Sequence, residues 1–180
     1  PPLGPVDIVI EQNIIKSIRN VGYPGVDINE SKRPKLSKKG REIDAEGMYV
    51  LPGFIDMHGH IGGSSQGAEP DYVFKLWLGH GITTVREPGG RGIDYSIDLK
   101  NKSNNNEIVA PRLIIYSRFG SGFDKEITSP EIAREWVRHN AEKGADGIKF
   151  FGADPNIMNA ALEENNKLGL GSAMHHAQLN

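Results

Sequence analysis

The stretch Val50-Leu-Pro-Gly-Phe-Ile-Asp-Met-His-Gly-His-Ile-Gly-Gly63 decides how the rest of this chain is read. An apolar run, broken by Pro52 and Gly53, resumes as Phe54-Ile55 and ends in Asp56, His58 and His60 at alternate positions. Side chains two apart on a strand share a face, so the spacing predicts all three on one side of a strand end. Two imidazoles so aligned beside a glycine-rich loop suit a divalent metal. The same spacing also fits a pair of exposed loop histidines that hold nothing.

Upstream, the apolar runs 6–10 and 14–18, separated by Glu11-Gln12-Asn13, predict a β-hairpin. A loop over 22–40 follows, and 41–44 and 48–51 read as short strands leading to Pro52-Gly53. Residues 1–52 are therefore part of a small β domain, and a second domain covers 53–180. Downstream, Tyr72, Val73, Leu76 and Trp77 lie at helical spacing, with Gly79 or Gly81 to end the helix. Strands are expected at 82–86, 113–116, 147–151 and 172–176, and helices at 93–100, after Ser129-Pro130-Glu131 and after Asp154-Pro155. A capping hydroxyl or carboxylate followed by proline is a strong helix start. Strand and helix alternate throughout, which argues for an α/β fold of parallel βαβ units.

Composition narrows the class of partner. The 180 residues carry 37% apolar side chains, 21 Lys plus Arg and 23 Asp plus Glu, for a formal charge of −2. That is a globular chain with a real core and no balance favouring nucleic acid or an anionic membrane. The basic residues Lys32, Arg33, Lys35, Lys38, Lys39 and Arg41 sit in a loop without interleaved aromatics and read as solvated. No cysteine is present, so disulfides and thiolate ligands are excluded. No apolar run approaches the ~20 residues of a membrane span. The opening Pro-Pro-Leu-Gly-Pro has no initiator Met and reads as a cut end.

Lys149 is a second anchor. In Gly147-Ile-Lys-Phe-Phe151, alternation puts Gly147, Lys149 and Phe151 on one face, and Ile148 with Phe150 on the side that suits helix packing. A lone buried ammonium is costly, so Lys149 should find a special partner or shed its charge; the alternative is a side chain snorkelling out of the strand end. His175 and His176 point to opposite faces of a regular strand, and periodicity alone leaves open which one faces inward.

Several motifs in order carry a family resemblance: Leu51-Pro-Gly-Phe-Ile-Asp-Met-His-Gly-His60, Gly81-Ile-Thr-Thr-Val-Arg-Glu-Pro-Gly-Gly90, Ala110-Pro-Arg-Leu113, Gly144-Ala-Asp-Gly-Ile-Lys149 and His175-His-Ala-Gln178. The chain resembles the amidohydrolase superfamily, metal-dependent hydrolases on a (β/α)8 barrel, and within it the imidazolonepropionase and prolidase-like branches. The resemblance implies one or two Zn2+ ions, ligands at His58, His60, Lys149 and His176, and a carbamate on Lys149 formed with CO2. It selects His176 over His175, and it implies attack of a metal-activated water on an amide, cyclic amide or dipeptide-like small-molecule substrate. A complete barrel of this type takes about 250 residues, so a partial TIM-type barrel of about five βα units is expected, preceded by part of a β-sandwich.

Smaller expectations follow. His80 should terminate a helix, and His139 should be exposed. Arg86 should line the mouth or pair with Glu87, and Asp56 should orient a ligand histidine or pack at the strand end. Relatives add a strand-six histidine and a strand-eight aspartate that have no counterpart here. The 180 residues by themselves are therefore expected to be inactive, or to act as a non-catalytic metal-binding relative or a half-barrel completed by another chain. Unpaired sheet edges are compatible with a homo-oligomer.

Overall fold

The first apolar runs pair as an antiparallel hairpin, β1 (Val6–Glu11) with β2 (Ile14–Asn20), turned by Gln12 at φ 58°. The computed structural model describes residues 4–63, 67–90 and 92–175. Two compact units emerge, Pro1–Val50 and Leu51–Asn180. In the first, Val21 is buried, donating its N–H to Pro5 and accepting from Asn29. Arg33 reaches back to Asp7 through Nε at 2.9 Å and Nη2 at 3.3 Å.

The strands expected at 41–44 and 48–51 do not form. Asp44 accepts the Glu46 N–H, and the Met48 N–H turns back to the Ala45 carbonyl, so the chain bends between them. Ile43, Met48, Tyr49 and Val50 stay exposed. Apolar, β-branched composition makes a strand only where a partner supplies the ladder, and among the described residues neither segment has one.

The second unit is a parallel five-stranded sheet, curled as half a barrel, in the order β3 (Phe54–Asp56), β4 (Ile82–Pro88), β5 (Arg112–Arg118), β6 (Gly147–Phe150) and β7 (Gly171–Met174). Helices α1 (Pro70–Gly79), α2 (Ile93–Asn104), α3 (Pro130–Glu142) and α4 (Pro155–Lys167) connect them. Spatial order follows chain order, as short βαβ connections require. Among the described residues no helix is long and apolar enough to cross a membrane.

The helix starts are local chemistry. Ser129 Oγ accepts the Ile132 N–H, Asp154 Oδ1 accepts the Asn156 N–H, and proline opens α1, α3 and α4. Their apolar stripes cover one side of the sheet. Phe74, Val85, Ile93, Leu113 and Ile115 form one core cluster, and Ala133, Trp136, Val137, Ile148, Phe150 and Ala161 form the next. Helix α1 keeps part of the expected face, with Trp77 packed against the first cluster and Val73 half-buried, but Phe74 is 1% exposed whereas Tyr72 and Leu76 are 60% and 44% exposed. The register pairs Val85 with Leu113 and Ser117 with Ile148, so these alternate positions face the helices. Arg86, Tyr116, Arg118, Gly147 and Lys149 consequently line the concave side.

Asn140 is a buried polar tie within this core. Its amide donates to the Trp136 carbonyl at 2.9 Å, and its Oδ1 accepts the Ser117 hydroxyl at 2.6 Å. Asn140→Ala leaves a buried hydroxyl without its acceptor, at a cost of roughly 1–3 kcal/mol. Urea denaturation should show that loss, and adding Ser117→Ala should cost less than its own single-mutant effect. Strictly additive losses would show that the two side chains are not coupled.

Candidate functional site

Strand β3 stops at Asp56 because Oδ1 accepts the His58 N–H at 2.9 Å and bends the chain there. The expected alignment of Asp56, His58 and His60 along one strand is therefore replaced by a loop. Asp56 spends this oxygen on a backbone N–H at the strand end. The loop crosses the C-terminal end of β4, where Gly59 donates to the Arg86 carbonyl at 3.1 Å. A Cβ on Gly59 would stand 2.7 Å from Val85 Cγ1 and 2.8 Å from the Trp77 ring, so only glycine passes. His58 and His60 still end side by side, their ring centroids 5.5 Å apart and the planes at 87°.

Glu87 fixes one of these rings. Its carboxyl is fully buried at the end of β4 and meets three groups: His60 Nδ1 at 3.0 Å, the Ile61 N–H at 2.8 Å and the Gly90 N–H at 2.5 Å. With two backbone donors aimed at it, the carboxyl serves as acceptor toward His60, which places the imidazole proton on Nδ1 and the lone pair on Nε2. A Cβ on Gly90 would lie 2.5 Å from His60 Nδ1, so the site requires glycine there as well. Sequence reading offered Glu87 only as an alternative partner for Arg86. The available signal was an acidic residue at the helix-facing positions of β4, where it must be fully bonded if buried.

Arg86 points to the concave side, away from Glu87, donating Nε to the Met57 carbonyl at 2.7 Å and lying 5.1 Å from the Tyr116 ring centre. The alternative of an Arg86–Glu87 pair is excluded by this placement. Lys149 is 3% exposed on the same side, beside Arg118 in the register, with Nζ 5.7 Å from the Phe151 ring centre. Among the described residues neither Lys149 nor Arg118 forms an ion pair with a carboxylate. The positive surroundings are felt by His58. Its pKa is lowered first by desolvation, then by the charges of Lys149, His60 and Arg86, which favours the neutral imidazole.

His176 lies outside the described residues. His175 was expected away from the interior, but Lys149 pairs with Ala173 and Phe150 with Met174, which carries His175 to the position beside Phe151. The two rings stack with centroids 5.0 Å apart, on the Lys149 side of the sheet. His80 caps α1 with its Nδ1 bonded to the Leu76 carbonyl, while His139 is half-buried beside Phe123 rather than exposed.

The donor set fits two nitrogen ligands of a metal. A tetrahedral ion about 2.0–2.1 Å from each nitrogen would separate two imidazole centroids by roughly 5 Å, near the observed 5.5 Å. Among the described residues no group of three or more His, Cys, Asp or Glu side chains is arranged to hold an ion. Further oxygen or nitrogen donors would have to come from Lys149 after modification and from positions such as His176.

No family model matches the chain. It is 35% identical over 104 residues to the adenine deaminase of Bacillus subtilis, an alignment covering 51% of this chain and 18% of that protein. It is 33% identical over 109 residues to the adenine deaminase of Clostridium perfringens, covering 56% and 17%. Adenine deaminase 2 of Desulfotalea psychrophila matches at 39% over 70 residues, covering 34% and 12%. The chain thus spans less than a fifth of the length of these curated relatives. A crystal structure of a Bifidobacterium longum protein assigned as a prolidase superposes with a TM-score of 0.64 at 21% identity, covering 94% of this chain and 44% of that one. At that identity the superposition speaks for the fold, an α/β half-barrel. The sequence relatives and the fold together support a broad amidohydrolase-like relationship for this chain.

Proposed function

We propose that this chain forms part of a metal-dependent hydrolase that cleaves carbon–nitrogen bonds of small molecules. The observation that carries the reading is the pair His58 and His60, one ring locked by buried Glu87, near a buried lysine that forms no ion pair with a carboxylate among the described residues. The names of the sequence relatives, adenine deaminases, agree with carbon–nitrogen chemistry. Zn2+, in one or two copies, is the metal proposed, with His58, His60, Lys149 and His176 as its ligands. His175, on the Lys149 side of the sheet, is the alternative to His176 that the register supplies. When bound, such an ion lowers the pKa of water towards ~7 and polarises a carbonyl or similar carbon centre.

The chain's own residues prepare that chemistry. Glu87 keeps the His60 proton on Nδ1 and so presents Nε2 as a donor. Desolvation first, and then the nearby Lys149 and Arg86, lower the His58 pKa and so favour its neutral ring. Lys149 supplies its Nζ at the concave face: the ammonium first sheds one proton, the neutral amine then bonds to the carbon of CO2 as one C=O π bond opens, and a second proton leaves the nitrogen. The product is a carbamate, an anionic oxygen ligand that also removes the unpaired positive charge. The ends of the parallel strands, where these groups gather, are where barrels of this type place their active sites.

Metal analysis of the purified full-length gene product should find a divalent ion, and the double substitution His58→Ala, His60→Ala should remove it. Unchanged metal content in that variant would end the assignment.

Glu87→Gln replaces the acceptor with an amide that can meet only part of the three contacts. Metal affinity should fall by about 10–100-fold, the usual effect of losing a partner that orients a ligand. In the metal-free protein, 15N chemical shifts of His60 should change from the Nδ1–H form to a tautomer mixture. A folded variant that keeps the wild-type tautomer would remove Glu87 from the site.

For Lys149, second-metal occupancy should rise with bicarbonate during reconstitution, and Lys149→Ala should lose it. Partial recovery with added small carboxylic acids would show that the missing group is an oxygen ligand. A 13C signal of a carbamate absent under 13C-bicarbonate would leave the unmodified amine in place.

A further inference from the structure

Adjacent residues of β4 face opposite ways, and each holds one histidine of the pair. Glu87, on the helix side, bonds the His60 ring. Arg86, on the concave side, bonds the backbone before and after His58. Its Nε donates to the Met57 carbonyl at 2.7 Å, and its own carbonyl accepts the Gly59 N–H at 3.1 Å. The Met57 carbonyl and the His58 N–H are the two ends of one planar peptide unit, and the N–H end donates to Asp56 Oδ1 at 2.9 Å. That unit is therefore gripped at both ends, and the unit after His58 is gripped at its N–H. With the planes on both sides held, φ and ψ of His58 are restrained, and the freedom left to it is that of its side chain. Arg86 is itself seated, its guanidinium carbon 5.1 Å from the centre of the Tyr116 ring. That ring lies across two glycines in register on the next two strands, Gly147 of β6 and Gly171 of β7. A Cβ on either glycine would stand 2.6 Å from Tyr116 Cζ, so a larger residue at these positions would lift the ring.

We infer that Arg86 is a positioning residue for His58, seated by Tyr116 and acting through the Met57–His58 peptide rather than by touching a metal or substrate. The inference rests on the hydrolase reading for His58 as a ligand; the hydrogen bonds stand apart from it. Asp56 alone would leave the carbonyl end of that peptide free to swing, because a plane held at one edge can turn about the bond that holds it. A loosely held ligand must lose freedom when a metal binds, so fixing it beforehand raises affinity without adding a ligand. The clamp also calls for arginine in particular. A planar fork can rest on an aromatic ring while Nε donates in its own plane, which a flexible ammonium does not reproduce. Tyr116 and the two glycines thus carry the order of β5, β6 and β7 across β4 to the loop after β3.

Hydrogen exchange of the full-length gene product, read residue by residue, and its Zn2+ affinity test this. In the metal-free protein, Arg86→Gln should speed exchange of the His58 amide by about tenfold or more, the effect of losing one charge-assisted hydrogen bond. The His60 ring should keep its Nδ1–H shifts, since Glu87 is untouched. Zn2+ titrated against a competing chelator should bind about 10–100-fold more weakly. Tyr116→Phe should behave as wild type, and Tyr116→Ala should reproduce part of the faster exchange; no change in Tyr116→Ala overturns its part in the clamp. Arg86→Lys, which keeps the charge, should fall between wild type and Arg86→Gln, and it covers the case of a glutamine variant that does not fold. Wild-type exchange at His58 in Arg86→Lys or in folded Arg86→Gln overturns the assignment. So does faster exchange that spreads through β5 and β6 with loss of the His60 shifts, the mark of general loosening. Unchanged Zn2+ affinity beside faster exchange overturns the role toward the ligand. A wild-type protein that binds no Zn2+ would judge the hydrolase reading, while exchange in the metal-free protein judges the clamp alone.

Discussion

A carboxyl group removed from water must have its lone pairs filled, and at Glu87 the fold organises itself around that demand. Its two oxygens collect the His60 ring and the N–H groups of Ile61 and Gly90, which belong to loops after two different strands. The loop after β3 is thereby tied to the end of β4, and the loop after β4 is tied back on itself. Ile61, fully buried next to the bonded N–H, fastens the same loop into the apolar core. Loss of one acceptor would leave buried donors unmet, a larger penalty than the net worth of any one hydrogen bond. Position and protonation of His60 are thus set by the same side chain that closes the loops.

The sheet separates two chemistries by alternation. Its helix-facing positions are Val85, Leu113, Ile115, Ile148 and Phe150, which bury apolar surface against the helices. Its concave positions are Arg86, Tyr116, Arg118 and Lys149, in adjacent register. Tyr116 fills the space that glycines leave: a Cβ on Gly147 would lie 2.6 Å from its ring. This packing holds the lower part of the concave face closed with an aromatic ring and leaves the cations towards the strand ends. Two strand carboxylates stand near the site: Asp56, whose Oδ1 accepts the His58 N–H, and, on the helix-facing side, Glu87. The Glu87 charge is spent on His60 and two backbone groups, so it does not neutralise Lys149 or Arg118.

That division explains why a fold shared at 21% identity says little about the reaction. Helix-facing positions need only apolar volume, which many sequences supply. The concave residues and the loops beyond the strand ends select the substrate, and these are the parts that vary on a common barrel.

Much of the architecture was legible because it is written in local chemistry. Ser129-Pro130 and Asp154-Pro155 start helices through bonds that span two or three residues, and the 147–151 alternation turned Lys149 from the helix side without knowledge of any neighbour. Long-range pairing decided the rest. Residues 41–44 and 48–51 have strand-like composition and, among the described residues, no strand partner; Phe74 took the place of Tyr72 and Leu76 in the buried stripe of α1. His175 reached the Lys149 side through the β6–β7 register, which a single strand's periodicity cannot fix. The sequence by itself determined the order of βα units and the residue types gathered at their ends. Only the tertiary structure joined Glu87 to His60, 27 positions apart, because a hydrogen bond between two strand ends depends on how the chain returns and not on either segment alone.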